Sequence, residues 1–151
     1  RGFEAAPLPS GAATTRWQRA LRIDTDVRAL TKLCHPGHVQ RPPGWYLAHP
    51  TLVAVEDDTV VGATSFTVTL IPGFGQTMYG MDLVVHPGYR KKGLGLALHE
   101  ARLHLAEVLG IKMFMGVTQD DSMAAILLRS GAHACVPTGD GMMYVGTIGG
   151  R

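Results

Sequence analysis

Apolar positions recur along this chain at two periods, and the switches between them predict its elements. "TLVAV" (51–55) and "VVGATSFTVTL" (60–70) are rich in β-branched residues and flank the polar "EDDT", which is a hairpin pattern. "MYGMDLVV" (78–85) and "IKMFMGV" (111–117) are further strand-type runs, and "AHACVP" and "GMMYVGTI" close the chain around the turn "TGDG". Helical spacing replaces strand spacing from about Gly93 to Leu109. There Leu94, Leu98, Ala101, Leu105 and Val108 form one stripe, His99, Arg102 and Glu107 fall on the other faces, and Gly110 stands at the C′ position. His99 and His104 are expected to be exposed. A second helix spans 121–130, with Asp120, Asp121 or Ser122 as its cap and Gly131 as its stop. Val27, Leu30, Leu33 and Cys34 give a short helix capped by Asp24 or Thr25 and ended by "HPGH" at 35–38. "RWQRALRI" (16–23) alternates and reads as a first strand.

The resulting order is β-α-β-β-β-α-β-α-β-β, a mixed α/β sheet with helices packed on it. Residues 1–15 are small, Pro-rich and weakly patterned and read as a loose arm, leaving 16–151 as a single domain. With 151 residues the chain can bury a core without a disulfide or metal staple. Its net charge of +2 argues against a bulk electrostatic grip on nucleic acid or membrane, so anion binding must be local. Cys34 and Cys135 form no CxxC pair, and the expected compartment is the cytoplasm. No run of about 18 apolar residues appears. Position 1 is Arg rather than Met, so a trimmed or processed chain is expected.

The most informative stretch is "HPGYRKKGLG" (86–95), which follows a strand and opens a helix. Its glycines let an anion approach backbone N–H groups that have no partner inside the helix, and the helix dipole favours negative charge there. The plain alternative is a helix start with solvated cations. A P-loop would need GxxxxGK[ST], which is absent, and "GLGLAL" fails the Rossmann fingerprint because Leu98 occupies its third glycine position.

"RKKGLG" (90–95) matches the Arg/Gln-x-x-Gly-x-Gly/Ala loop of the GCN5-related N-acetyltransferases (GNAT family) at every defined position, and "LVVHPGYR" resembles that family's strand-to-loop passage. The resemblance covers about residues 16–147 in element order. It implies an acyl-CoA N-acyltransferase fold, with a mixed, mostly antiparallel sheet of six to seven strands flanked by helices. It also implies acetyl-CoA as the acetyl donor, with no metal. In the family, the main chain of the preceding strand holds the pantetheine arm, here Leu83, Val84 and Val85. The loop amides hold the pyrophosphate, here Arg90, Lys91, Lys92, Gly93, Leu94, Gly95 and Leu96.

The family's second motif is altered. With Gly131 as anchor, Asp120 stands at the usual Asn, Leu127 at the usual Tyr and Ala132 at the usual Phe. A leucine cannot protonate a departing thiolate, so the usual general acid is missing. Three other residues are candidates for proton work. Asp82 lies where small-amine members carry a carboxylate, Tyr79 falls where histone-type members place a base, and Tyr144 on the last strand could replace the acid. His86 reads mainly as a turn residue.

"CHPGH" (34–38) carries metal-ligand residue types but reads as a helix-ending turn, and no GxSxG elbow occurs. Acceptor specificity should come from residues 24–50, from "IPGFGQT" and from the final hairpin. The 35–50 segment holds His35, His38, Arg41, Trp45, Tyr46 and His49. The expected partner is an amine-bearing substrate, a small molecule in preference to a protein, with no nucleic acid or membrane partner and a homodimer allowed. The rival expectation is a non-catalytic acyl-CoA-binding or assembly module on the same fold.

Overall fold

The computed structural model describes residues 16–149, so the expected arm at 1–15 lies outside the described residues. Helix α1 spans Arg16–Cys34 and a one-turn α2 spans Trp45–Ala48. Strands β1 (Thr51–Glu56), β2 (Thr59–Ile71) and β3 (Gly75–Val85) follow. Then come α3 (Leu94–Val108), β4 (Met113–Thr118), α4 (Asp121–Arg129), β5 (His133–Thr138) and β6 (Gly141–Thr147).

The expected first strand at 16–23 is instead the start of α1. From Arg16 to Arg22 no β-branched residue occurs, whereas Arg, Gln, Ala and Leu are good helix formers. Two (i, i+4) ion pairs lace the same helix, Arg22–Asp26 at 3.1 Å and Arg28–Asp24 at 3.0 Å. Asp24 and Thr25 therefore lie inside the helix and cap nothing at its start.

Six strands form one sheet in the order β1-β2-β3-β4-β6-β5. β1/β2, β4/β6 and β5/β6 are antiparallel, and β3/β4 are parallel. The sheet is thus mixed, as the residue pattern predicts, and mostly antiparallel, as the family resemblance implies.

The residues group into two compact units. Among the described residues, the first comprises 16–65 together with Asp82–Leu98. Its core is Val27, Leu30, Tyr46, Val60, Ala63 and Val84. Val27 and Leu30 are wholly buried, each contributing on the order of 2 kcal/mol. The second comprises Phe66–Met81 and residues 99–149. Its core includes Phe66, Met78, Leu103, Ala106, Phe114, Leu127 and Tyr144.

Helix α3 buries a stripe that shares Leu98 with the one its apolar spacing predicts, keeps Leu94 and Leu105 half-buried, and is otherwise turned away from it. Leu98, His99, Arg102, Leu103 and Ala106 are buried, while Ala101 and Val108 are exposed. His99, expected outside, has no exposed surface, and Arg102 retains only 2%. The apolar pattern of a helix marks one favourable face, but the neighbours decide which residues go in, and here they take in a guanidinium. His104 is exposed, as expected.

Candidate coenzyme loop and acceptor wall

Residues 86–93 turn the chain from β3 into α3. His86 Nδ1 accepts from Gly88 N–H at 3.0 Å, and Tyr89 N–H donates to His86 C=O at 2.8 Å, closing a 3₁₀ turn over Pro87–Tyr89. His86 is thus a turn residue in this structure. The Arg90 side chain folds back, Nε donating to Val85 C=O at 3.0 Å. Lys91 (φ 63°) and Gly93 (φ 81°) both take the left-handed conformation. These two reversals swing the backbone so that α3 starts at Leu94. Its first intrahelical bond runs from Ala97 N–H to Gly93 C=O at 3.0 Å. The N–H groups of Leu94, Gly95 and Leu96 precede that bond and point out of the helix end with its dipole. Gly62 lets this end sit on β2, since a Cβ there would lie 3.0 Å from Leu98 Cδ1.

Asp82 is the centre of a polar network that joins α1, the 35–50 segment and β3. Arg41 grips it with two hydrogen bonds, Nε to Oδ2 and Nη2 to Oδ1, both 3.0 Å. Tyr46 O–H donates to Oδ2 at 2.6 Å. The Arg41 guanidinium also lies 4.4 Å from the centre of the Trp45 ring. Buried Asp24 holds the start of α2, accepting from Gly44 N–H and Tyr46 N–H, both at 2.9 Å.

The electrostatics follow from these contacts. Burial pushes the Asp82 carboxyl up, but the Arg41 and Tyr46 hydrogen bonds and the Arg41 charge outweigh it and hold the group below the usual carboxylate range. Burial and the bond to Asp82 push the Tyr46 hydroxyl well above its ordinary value, so it remains a donor. For Asp24, burial is likewise outweighed, here by the two backbone N–H groups and Arg28.

Tyr79 and Tyr144 belong to the other unit and flank β4. Tyr79 pairs with Met115, and Tyr144 pairs with Gly116. Directly paired residues share a face and successive residues alternate, so the two tyrosines project from opposite faces of the sheet. Tyr144 is 8% exposed and joins the core with Phe114, whereas Tyr79 is half-buried. The registered pairing of β3 with β4 covers only Thr77–Tyr79, while β4 stays paired to β6 as far as Thr118.

The altered second motif has a structural account. Asp120 caps α4, Oδ1 accepting from Ser122 N–H at 2.8 Å. Leu127 and Ala132 are buried in the core, and Gly131 ends the helix with φ 95°. Leu127 fills its place by packing and offers no proton. The "CHPGH" stretch forms the turn after α1, with His38 N–H donating to His35 C=O at 3.1 Å. Among the described residues no group of three His, Cys, Asp or Glu side chains could hold a metal ion, and no helix is long and apolar enough to cross a membrane.

Sequence reasoning places Asp82, Arg41 and Tyr46 in the relevant segments but misses that they touch. The available signal is the lone carboxylate in "MDLVV". Such a group in a half-buried strand needs a cationic or hydroxyl partner.

A mixed sheet with a glycine-rich turn between β3 and a long helix defines an acyl-CoA N-acyltransferase type of fold. The family model described as "Acetyltransferase (GNAT) family" matches residues 23–129, and the chain belongs to that family of acyltransferase enzymes. A search of curated proteins finds no match. Solved structures share the fold at low identity. The loading GNATL domain of CurA from Lyngbya majuscula is 16% identical, with a TM-score of 0.72 over 87% of this chain and 96% of that one. Arabidopsis thaliana NAA60, solved with a bisubstrate analogue, is 12% identical, with a TM-score of 0.67 over 84% and 95%. Escherichia coli YhbS, solved with CoA, is 20% identical, with a TM-score of 0.64 over 83% and 76%. The family supports acetyl-CoA-dependent N-acetyltransferase activity in general terms.

Proposed function

We propose that this chain transfers an acetyl group directly from acetyl-CoA to a primary amine of a small molecule. The observation that carries the reading is the Arg90–Gly95 loop. Two left-handed residues there present the first amides of α3 in a family whose members are acetyltransferases. In this reading the amides from Arg90 to Leu96 hold the pyrophosphate, and the main chain of Leu83, Val84 and Val85 holds the pantetheine arm. Lys91 and Lys92 add positive charge beside the phosphates.

The neutral amine nitrogen attacks the thioester carbon and the carbonyl oxygen becomes an oxyanion. The C–S bond then breaks, the amine proton passes to a base, and the CoA thiolate takes up a proton. Of the three proton-transfer candidates, Asp82 has both oxygens engaged by Arg41 and Tyr46 and is held ionised, which makes it a weak base. We assign it the task of fixing the acceptor wall of Arg41, Trp45 and Tyr46. Tyr79 and Tyr144 remain for proton transfer, and their opposite faces mean that only one of them serves a given side of the sheet.

Buried Leu127 favours the second reading, a coenzyme-binding module without turnover. Titration calorimetry with acetyl-CoA and CoA, followed by thiol release against an amine panel, separates the two. Binding with release from one amine class supports the enzyme. Binding with no release supports the module, and no binding refutes both.

A further inference from the structure

Arg102 is the most deeply buried cation among the described residues, and its contacts are specific. Nε donates to His99 Nδ1 at 3.1 Å, so Nδ1 carries no proton. Nη1 donates to Met81 C=O at 2.9 Å. The guanidinium lies 5.8 Å from the Phe114 ring centre, and the His99 ring meets Phe114 edge-on at 5.1 Å. Room for it comes from Gly80, where a Cβ would lie 2.9 Å from Nη2 and 3.0 Å from both Cζ and Phe114 Cε1.

Taking a permanent charge out of water is expensive, and an apolar side chain of similar volume is commonly no less stable in such a place. Core filling alone therefore does not account for an arginine here. The location does. Registered β3–β4 pairing ends at Tyr79, and Met81 is two residues further along β3. A strand leaving its neighbour gives up ladder partners, and a carbonyl there needs another donor. Arg102 supplies one. Its fork reaches the Met81 carbonyl while His99 fixes the other edge of the guanidinium.

We infer that Arg102, held by His99 and admitted by Gly80, is a positioning residue that fixes the β3 backbone where it parts from β4, and so sets the course of Leu83–Val85 for coenzyme binding. The coenzyme half rests on the function proposed above. The backbone half does not.

The test compares Arg102→Met, Arg102→Lys and Gly80→Ala with the unsubstituted chain, by amide hydrogen exchange and by calorimetric titration with CoA. In Arg102→Met, exchange over Met81–Val85 should speed up by about tenfold or more, while β4 and the second half of α3 keep their protection. The Kd for CoA should rise about tenfold, which is about 1.4 kcal/mol. The KM for acetyl-CoA should rise with it, and kcat at saturating donor should change much less. Arg102→Lys, which keeps a donor for the carbonyl, should recover part of both effects. Gly80→Ala, whose Cβ would displace the guanidinium, should change exchange and Kd in the same direction as Arg102→Met.

Unchanged exchange over Met81–Val85 in a folded Arg102→Met would overturn the backbone half. Faster exchange with Kd within about twofold would overturn the coenzyme half. If Arg102→Met does not fold, the same criteria apply to Arg102→Lys and Gly80→Ala. Failure of the unsubstituted chain to bind CoA would overturn the proposed function and the coenzyme half together, and exchange would still decide the backbone half.

Discussion

Replacing Arg41 by Gln removes the cation and two 3.0 Å hydrogen bonds from Asp82 and leaves the carboxylate with Tyr46. Breaking a fully buried pair costs about 3–5 kcal/mol, whereas an exposed pair is worth about 0.2–1 kcal/mol. The Arg41 and Asp82 side chains are 33% and 20% exposed, between those limits. The expected loss is about 2 kcal/mol at neutral pH, or about 4–8 °C in Tm for a chain of this size.

The loss should also depend on pH. The folded pKa of Asp82 is depressed, so the stability from its pairing is fully present above the unfolded value near about 3.9 and is lost as pH falls through the folded value. In Arg41→Gln, burial is opposed mainly by Tyr46, so the carboxyl should rise and protonate earlier. The stability gap between the two proteins should therefore shrink from about pH 7 to about pH 4. Urea denaturation at several pH values measures it. In a double-mutant cycle with Asp82→Asn most of the loss should appear as coupling. A gap near zero at neutral pH, or one that widens on acidification, would refute the reasoning.

Gly93→Ala should cost about 1 kcal/mol, from the left-handed φ alone, because a Cβ there meets nothing within 4 Å. Gly93→Asp should in addition abolish CoA binding by calorimetry, and retained tight binding would remove the loop from the coenzyme site. Lys91→Gly should raise stability by about 0.5–1 kcal/mol in denaturant titrations, since it relieves a side chain held at φ 63°. In steady-state kinetics, only one of Tyr79→Phe and Tyr144→Phe should lower kcat by about tenfold or more with CoA affinity retained. Equal large losses in both would contradict their placement on opposite faces.

Local pattern and spacing are enough to read the hairpin of β1 and β2, the strand–loop–helix passage around "RKKGLG", and the stops at Gly110 and Gly131. Each depends on near neighbours in the chain, through β-branched runs, left-handed φ and unpaired helix-end amides. The (i, i+4) charges of α1, Arg22 with Asp26 and Asp24 with Arg28, are a local helix signal that a short alternation of polar and apolar residues masks.

Three things were decided by tertiary structure. Asp82 was visible, but not that Arg41 and Tyr46 take both its oxygens, because these residues lie 41 and 36 positions away. The stripe that α3 buries was decided by what packs on it, and that brought His99 and Arg102 inside against their polarity. The strand register then put Tyr79 and Tyr144 on opposite faces. Sequence reveals such partners only by residue type, whereas burial, charge pairing and facing depend on how distant segments meet.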